Sequence, residues 1–133
     1  MAPAIVGLVI SLVEIFFVMQ DEGGMHPLTH GLHAVPTCLI FTYIAMNAIP
    51  TSTYLANQFG WTFLAGNVGL IGVPIAIGVL ATIKVKAAAA IIGGGHGSVG
   101  EKLGHAFLIG VLIAASPFVW PFIAPMVPVV LAQ

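Results

Sequence analysis

Three histidines, one acid inside an apolar run and a glycine-rich stretch are the residues of this 133-residue chain whose types and spacing could do chemistry. His26, His30 and His33 stand at i, i+4 and i+7 in "HPLTHGLH". On a helix they would share a face, and Pro27 suits the first turn because its missing N–H would be unpaired there anyway. Three converging imidazoles could hold zinc, copper or iron. Asp21 or Glu22 could orient one of the rings from behind. Polar residues at a helix entrance account for the same spacing without a metal. The expectation is no metal and no cofactor, with the histidine row as the alternative.

The stretch "IIGGGHGSVGEKLGH" carries two nucleotide-binding patterns. Gly95, Gly97 and Gly100 spell G-x-G-x-x-G, and Gly95, Gly100 and Lys102 approach a P-loop. A dinucleotide fingerprint needs a strand before it and an acid about 20 residues after it. Here the alanine run of "KVKAAAAII" favours helix, and no Asp or Glu follows Glu101. The P-loop requires Gly-Lys-Ser/Thr, whereas this chain has Gly-Glu-Lys-Leu, with a negative charge where phosphate would sit. Residues 93–100 read as a turn between helices.

Glu14 is the most costly residue of the chain, because it lies in an apolar segment with no lysine near it in sequence. An ionisable group at such depth points to ion or proton movement. The structural reading is a protonated acid hydrogen-bonded to a neighbouring helix, with Asn47 and Asn67 as candidate partners. Glu101 and His105, at i and i+4, are explained by an acid near a helix start. Lys84, Lys86 and Lys102, with His96 and His105, form the basic region and the candidate nucleic-acid face. So few charges would give weak, salt-sensitive binding for each copy. Ser11, Ser52, Ser98 and Ser116 have no His–acid pairing near them in sequence, and no enzyme is expected.

The elements that must position these residues follow from composition. Hydrophobic residues make up 59% of the chain and charged residues 5%, against about 25% charged in soluble domains. Mean hydropathy is +1.13. Three lysines and four acids, net charge −1, cannot coat a surface facing water. Lipid or other copies must cover it. A single cysteine, Cys38, excludes an internal disulfide. The first apolar run has no basic residue before it, which argues against a secretory signal.

Four apolar segments, residues 3–19, 30–48, 61–83 and 104–131, each approach the roughly 20 residues that cross a bilayer. They predict a single domain over residues 1–133. Its fold is all-α: a highly hydrophobic four-helix bundle or set of hairpins, like a membrane protein. The lysines lie between the third and fourth segments, so the positive-inside tendency puts that side in the cytoplasm and both termini outside. Small residues recur at four-residue spacing: Gly7–Ser11, Ala65–Gly69, Gly72–Ala76, and Ala106, Gly110 and Ala114. That spacing lets helix backbones approach closely. Pro117, Pro121, Pro125 and Pro128 leave two courses open for residues 117–131. Either the helix continues with a stripe of orphaned carbonyls, or it ends after Ser116.

With its length, its four apolar helical segments, its near absence of charge and its small-residue stripes, the chain resembles the major capsid protein of tailed spindle-shaped archaeal viruses. The resemblance implies a coat protein that resides in the host membrane before assembly. It then implies helical polymerisation around double-stranded DNA, with apolar contacts that let protofilaments slide. Partners would be other copies, the genomic DNA and the host membrane, and the final location the virion. The other reading is a small four-helix membrane transporter, or an accessory subunit of a membrane complex, using Glu14. A metal enzyme built on His26, His30 and His33 comes third.

Overall fold

A computed structural model describes residues 1–21, 27–92 and 103–128, with side chains placed for 1–20, 33–87 and 103–128. The described residues are helix and turn throughout. Helices α1 (Ala2–Asp21), α2 (Pro27–Met46), α3 (Ala48–Phe59), α4 (Asn67–Ile92) and α5 (Leu103–Ile123) follow in order. Short 3-10 turns occupy Thr62–Leu64 and Ala124–Met126. Helices α1, α4 and α5 are long and apolar enough to cross a membrane. The all-α, membrane-like class expected from composition is the fold observed.

The helix count differs from expectation. There are five helices among the described residues, because α2 and α3 form a pair bent by 80° at Asn47. The sequence around Pro50 reads as a linker, yet Pro50 falls in the first turn of α3, where a missing N–H costs nothing. Gly60 ends α3 in the left-handed conformation, φ 69°, which glycine adopts without strain. The third span also shifts. Residues 61–66 are turn and 3-10 structure, and α4 runs on to Ile92. Alanine is the strongest helix former, so Ala87 to Ala90 carry the helix past Lys84 and Lys86, which therefore sit on α4 and not in a linker.

The C-terminal course is now decided. Helix α5 continues through Pro117 and Pro121 to Ile123, and the chain becomes extended at Val127. Pro117 deprives the Ile113 carbonyl of its helical donor. The Ser116 hydroxyl donates to that oxygen at 2.7 Å instead.

The helices pack as antiparallel neighbours. Gly7 of α1 lies on Leu39 of α2, Gly110 of α5 on Gly78 and Thr82 of α4, and Ser52 of α3 on Gly69 of α4. The core is formed by Ile10, Cys38, Ala45, Ala81, Val85, Ala106, Ile109 and Ile113. Half of these are small, so the helices approach closely over little volume.

Candidate functional site

Four polar side chains are buried on the first two helices: Ser11 and Glu14 on α1, Cys38 and Thr42 on α2. Glu14 is 6% exposed. The Cys38 thiol donates to its Oε2 at 2.8 Å, across 24 residues of sequence. Ser11 donates to the Gly7 carbonyl at 2.6 Å, the local back-bonding that hides a hydroxyl within a helix. Thr42, one turn beyond Cys38 on the same helix, is fully buried, and its hydroxyl has no partner among the described residues. The Glu14–Cys38 contact puts one polar pair inside an otherwise apolar hairpin. A carboxyl and a thiol in hydrogen-bond contact can exchange a proton, and that is the chemistry this pair offers.

The asparagines expected to partner Glu14 do not reach it. The Asn47 side chain donates to the Tyr43 carbonyl at 2.8 Å, and Asn67 is exposed at the start of α4. Cys38 takes that role. Nothing in a lone cysteine 24 residues away marks it as a partner until the α1–α2 hairpin is closed.

Among the histidines, His30 and His33 fall on α2, and His33 is exposed. His26 lies outside the described residues. No group of three His, Cys, Asp or Glu side chains among the described residues is arranged to hold a metal.

Of the basic region, Lys84 is exposed and Lys86 half-buried on α4. His96 and Lys102 lie outside the described residues, as do Gly95, Gly97 and Gly100. The residues leading to the glycines are α4 helix as far as Ile92, where a dinucleotide site needs a strand. His105 is part of α5. Its ring stacks on Phe17 of α1, with centroids 4.3 Å apart and planes at 14°. One face of that imidazole is therefore spent on packing.

The small-residue stripes divide into two sets. A Cβ on Gly7 would press on Leu39, and one on Gly69 or Gly110 would clash with Ser52 or with Gly78 and Thr82. Ser11 and Ala106 are buried and Ala114 half-buried. These positions join helices within the chain. Gly72 has open space where a Cβ would go, and Ala65 and Ala76 are exposed, so this second set meets nothing in its own chain. Sequence reading missed Gly78 and Thr82, the other half of the α4–α5 contact. They too are four apart, but the search for small residues did not count threonine, whose hydroxyl here folds back onto the Gly78 carbonyl at 3.0 Å.

No protein-family model, curated protein or solved structure matches this chain. Two apolar grooves complete the geometry. One, of about 580 Å³, runs between α4 and α5 over Gly78 and Gly110 and is walled by Ile75, Val79, Phe107 and Phe118. The other, of about 290 Å³, lies between α1 and the end of α5, against Ile5, Val9, Val119 and Trp120. Neither has the convergent polar groups that orient a small-molecule substrate.

Proposed function

We propose that this chain is a structural subunit that works by packing against copies of itself, in a membrane and in the assembly that forms from it. The outward surface carries the reading. Only 28, 33 and 28% of the residues in the spans of α1, α4 and α5 are buried within the chain. Leu12, Phe16, Ile75, Val79, Phe107 and Phe122 face outward. Lipid could cover all of this, but lipid gains nothing from the small outward positions Gly72 and Ala76. A second helix does, because small residues admit its backbone.

In its finer form the proposal is a viral coat protein that polymerises helically around a DNA genome after residence in the host membrane. Apolar contacts are non-directional, so an assembly with few charged groups can shift register at low cost. Lys84, with Lys86, would then belong to the face nearest the nucleic acid. Electron microscopy of the protein isolated from its source is the test. A regular polymer of identical copies is the expected image.

A second reading is favoured by one observation, the buried Glu14–Cys38 pair. An intramembrane acid is a functional group by default, and a proton or ion carrier would use it. A discrete small oligomer that moves protons or ions across liposomes would establish that reading in place of the first.

A further inference from the structure

The chain has two tryptophans and two tyrosines, at positions 43, 54, 61 and 120. The fold carries all four to one end of the molecule. Antiparallel packing places the start of α1, the end of α2, the start of α4 and the end of α5 together there. Contacts fix this arrangement: Gly7 with Leu39, Gly69 with Ser52, Gly78 with Gly110 and Ala114, and, at the opposite end, Phe17 with His105. The charged residues go the other way. Asp21 closes α1, and Lys84 and Lys86 lie in the last third of α4. Glu22, Glu101 and Lys102 lie outside the described residues. Glu14 is the exception, and residues 23–83 contain no charged side chain.

The distance between the two ends is that of a bilayer. At 1.5 Å per residue, Asn67 to Lys84 along α4 is about 26 Å, and His105 to Trp120 along α5 is about 23 Å. A hydrocarbon core is about 30 Å thick. Helix α2 has 20 residues, or about 30 Å, and packs beside α1. Length lets α2 cross by itself, and α3 then leaves it at 80° at the aromatic end, beside the start of α4. The alternative, in which α2 and α3 together make one broken or re-entrant span, is what deep quenching of Trp61 would show.

The chemistry of α3 suits that position. Ala48 and Ser52 are buried on its inner side. Ile49, Tyr54 and Phe59 are exposed, and Trp61 and Phe63 follow, also exposed. Trp61 sits between two phenylalanine rings, 5.3 Å from Phe59 and 6.3 Å from Phe63. In water these rings would stand unprotected. In hydrocarbon, the hydroxyls of Tyr43 and Tyr54 and the Trp61 N–H would each lack water as a partner, which is costly for any polar group there. Only the boundary between headgroups and acyl chains serves both needs, and it is where Trp and Tyr concentrate.

We propose that α3 and the Thr62–Leu64 turn form an in-plane anchor whose partner is the headgroup boundary of the bilayer. The anchor rests on the reading of α1, α4 and α5 as membrane spans. Trp120→Phe leaves Trp61 as the sole tryptophan of the full chain. That variant, with helix content checked by circular dichroism, is reconstituted into phosphatidylcholine vesicles carrying a quencher either near the headgroup or near the acyl-chain end. The shallow quencher should exceed the deep one by about twofold, as for an interfacial indole. Stronger quenching at depth would make α3 a re-entrant segment and overturn the anchor. Quenching by aqueous acrylamide with neither lipid quencher effective would put α3 in water. Protection from all three would mean that a second copy covers it, which also overturns the anchor. Should Trp120→Phe not fold, the difference between the native chain and Trp61→Phe gives the same readout. Vesicle flotation is scored separately: a chain that does not float refutes the membrane reading itself.

Discussion

Gly78 and Gly110 face each other where α4 crosses α5, and a Cβ on either would fall on the carbonyl oxygen of the other. Ala114 and Thr82 close the same contact from the two sides. In lipid, which gives helices no hydrophobic drive to associate, this closeness would be what holds the pair together. Gly110→Ala should therefore destabilise the chain by about 1–3 kcal/mol, the usual cost of overpacking. Gly104→Ala, on the same helix with open space at its Cβ, is the control and should be neutral or slightly stabilising. Thermal unfolding in detergent by circular dichroism measures both. Equal melting temperatures for the two variants would refute the assignment.

Ser116 and Pro117 form a second local pair. The hydroxyl of Ser116 supplies the donor that Pro117 withholds from the Ile113 carbonyl. Ser116→Ala alone should cost about 1 kcal/mol, since it leaves a buried acceptor without its partner. In a Pro117→Ala background the N–H of residue 117 returns, and the same change should cost close to nothing. A double-mutant cycle isolates that difference. Additive effects would show that the hydroxyl does not act for the missing amide.

That α1, α4 and α5 are long apolar helices was legible, apart from the exact bounds of α4, because composition and length alone demand them. Much of the remainder was legible only in part. Helix α3 is short, and its uncharged polar residues with Pro50 resemble turn chemistry, so nothing local separates it from a loop. Its inner side is defined only in the fold, where Ala48 and Ser52 are buried and Ser52 lies on Gly69 of α4. The stripes Gly7–Ser11 and Ala106–Gly110 could be read as packing surfaces, but spacing does not say which helix each will meet. It also does not separate them from Gly72 and Ala76, which meet none in the chain. Glu14 announced itself by its cost. Its partner did not, because a thiol is as much a small apolar group as a donor, and only the closed hairpin brings the two together. Of the basic residues, the sequence did not show that the His105 ring stacks on Phe17, which lies on a helix 88 positions earlier.

Cys38 and Glu14 should behave as a coupled pair. Cys38→Ala removes the donor from a buried carboxyl and should cost about 1–3 kcal/mol. Cys38→Ser keeps a donor and should cost less. Replacing both groups together, in Glu14→Met with Cys38→Ala, should recover most of the loss, because two matched apolar groups leave nothing unsatisfied. Unfolding in detergent reports all three. A double variant no more stable than Cys38→Ala would mean that the contact carries no coupling energy. Glu14→Gln answers the functional question separately. Polymer formation should survive it, whereas loss of a proton flux in that variant would move the assignment to transport.

Gly72 and Ala76 give the sharpest test of self-assembly. Both lie on α4 in the stretch long and apolar enough to cross a membrane, and both face outward: Gly72 has open space at its Cβ and Ala76 is exposed. Enlarging them therefore leaves the fold of one copy intact, while blocking any helix of a neighbour that comes close there. Lipid tails, being fluid, would adapt to a larger side chain. Gly72→Leu and Ala76→Leu should thus keep the helix content and leave the monomer's unfolding free energy within about 0.5 kcal/mol of the native chain, as for surface changes away from packed contacts. Polymerisation should be lost or weakened by an order of magnitude or more, roughly the effect of 1.4 kcal/mol per contact. Sedimentation and electron microscopy of each variant beside the native chain read the outcome. Polymers of unchanged yield and geometry would show that this face looks onto lipid, and that copies join elsewhere.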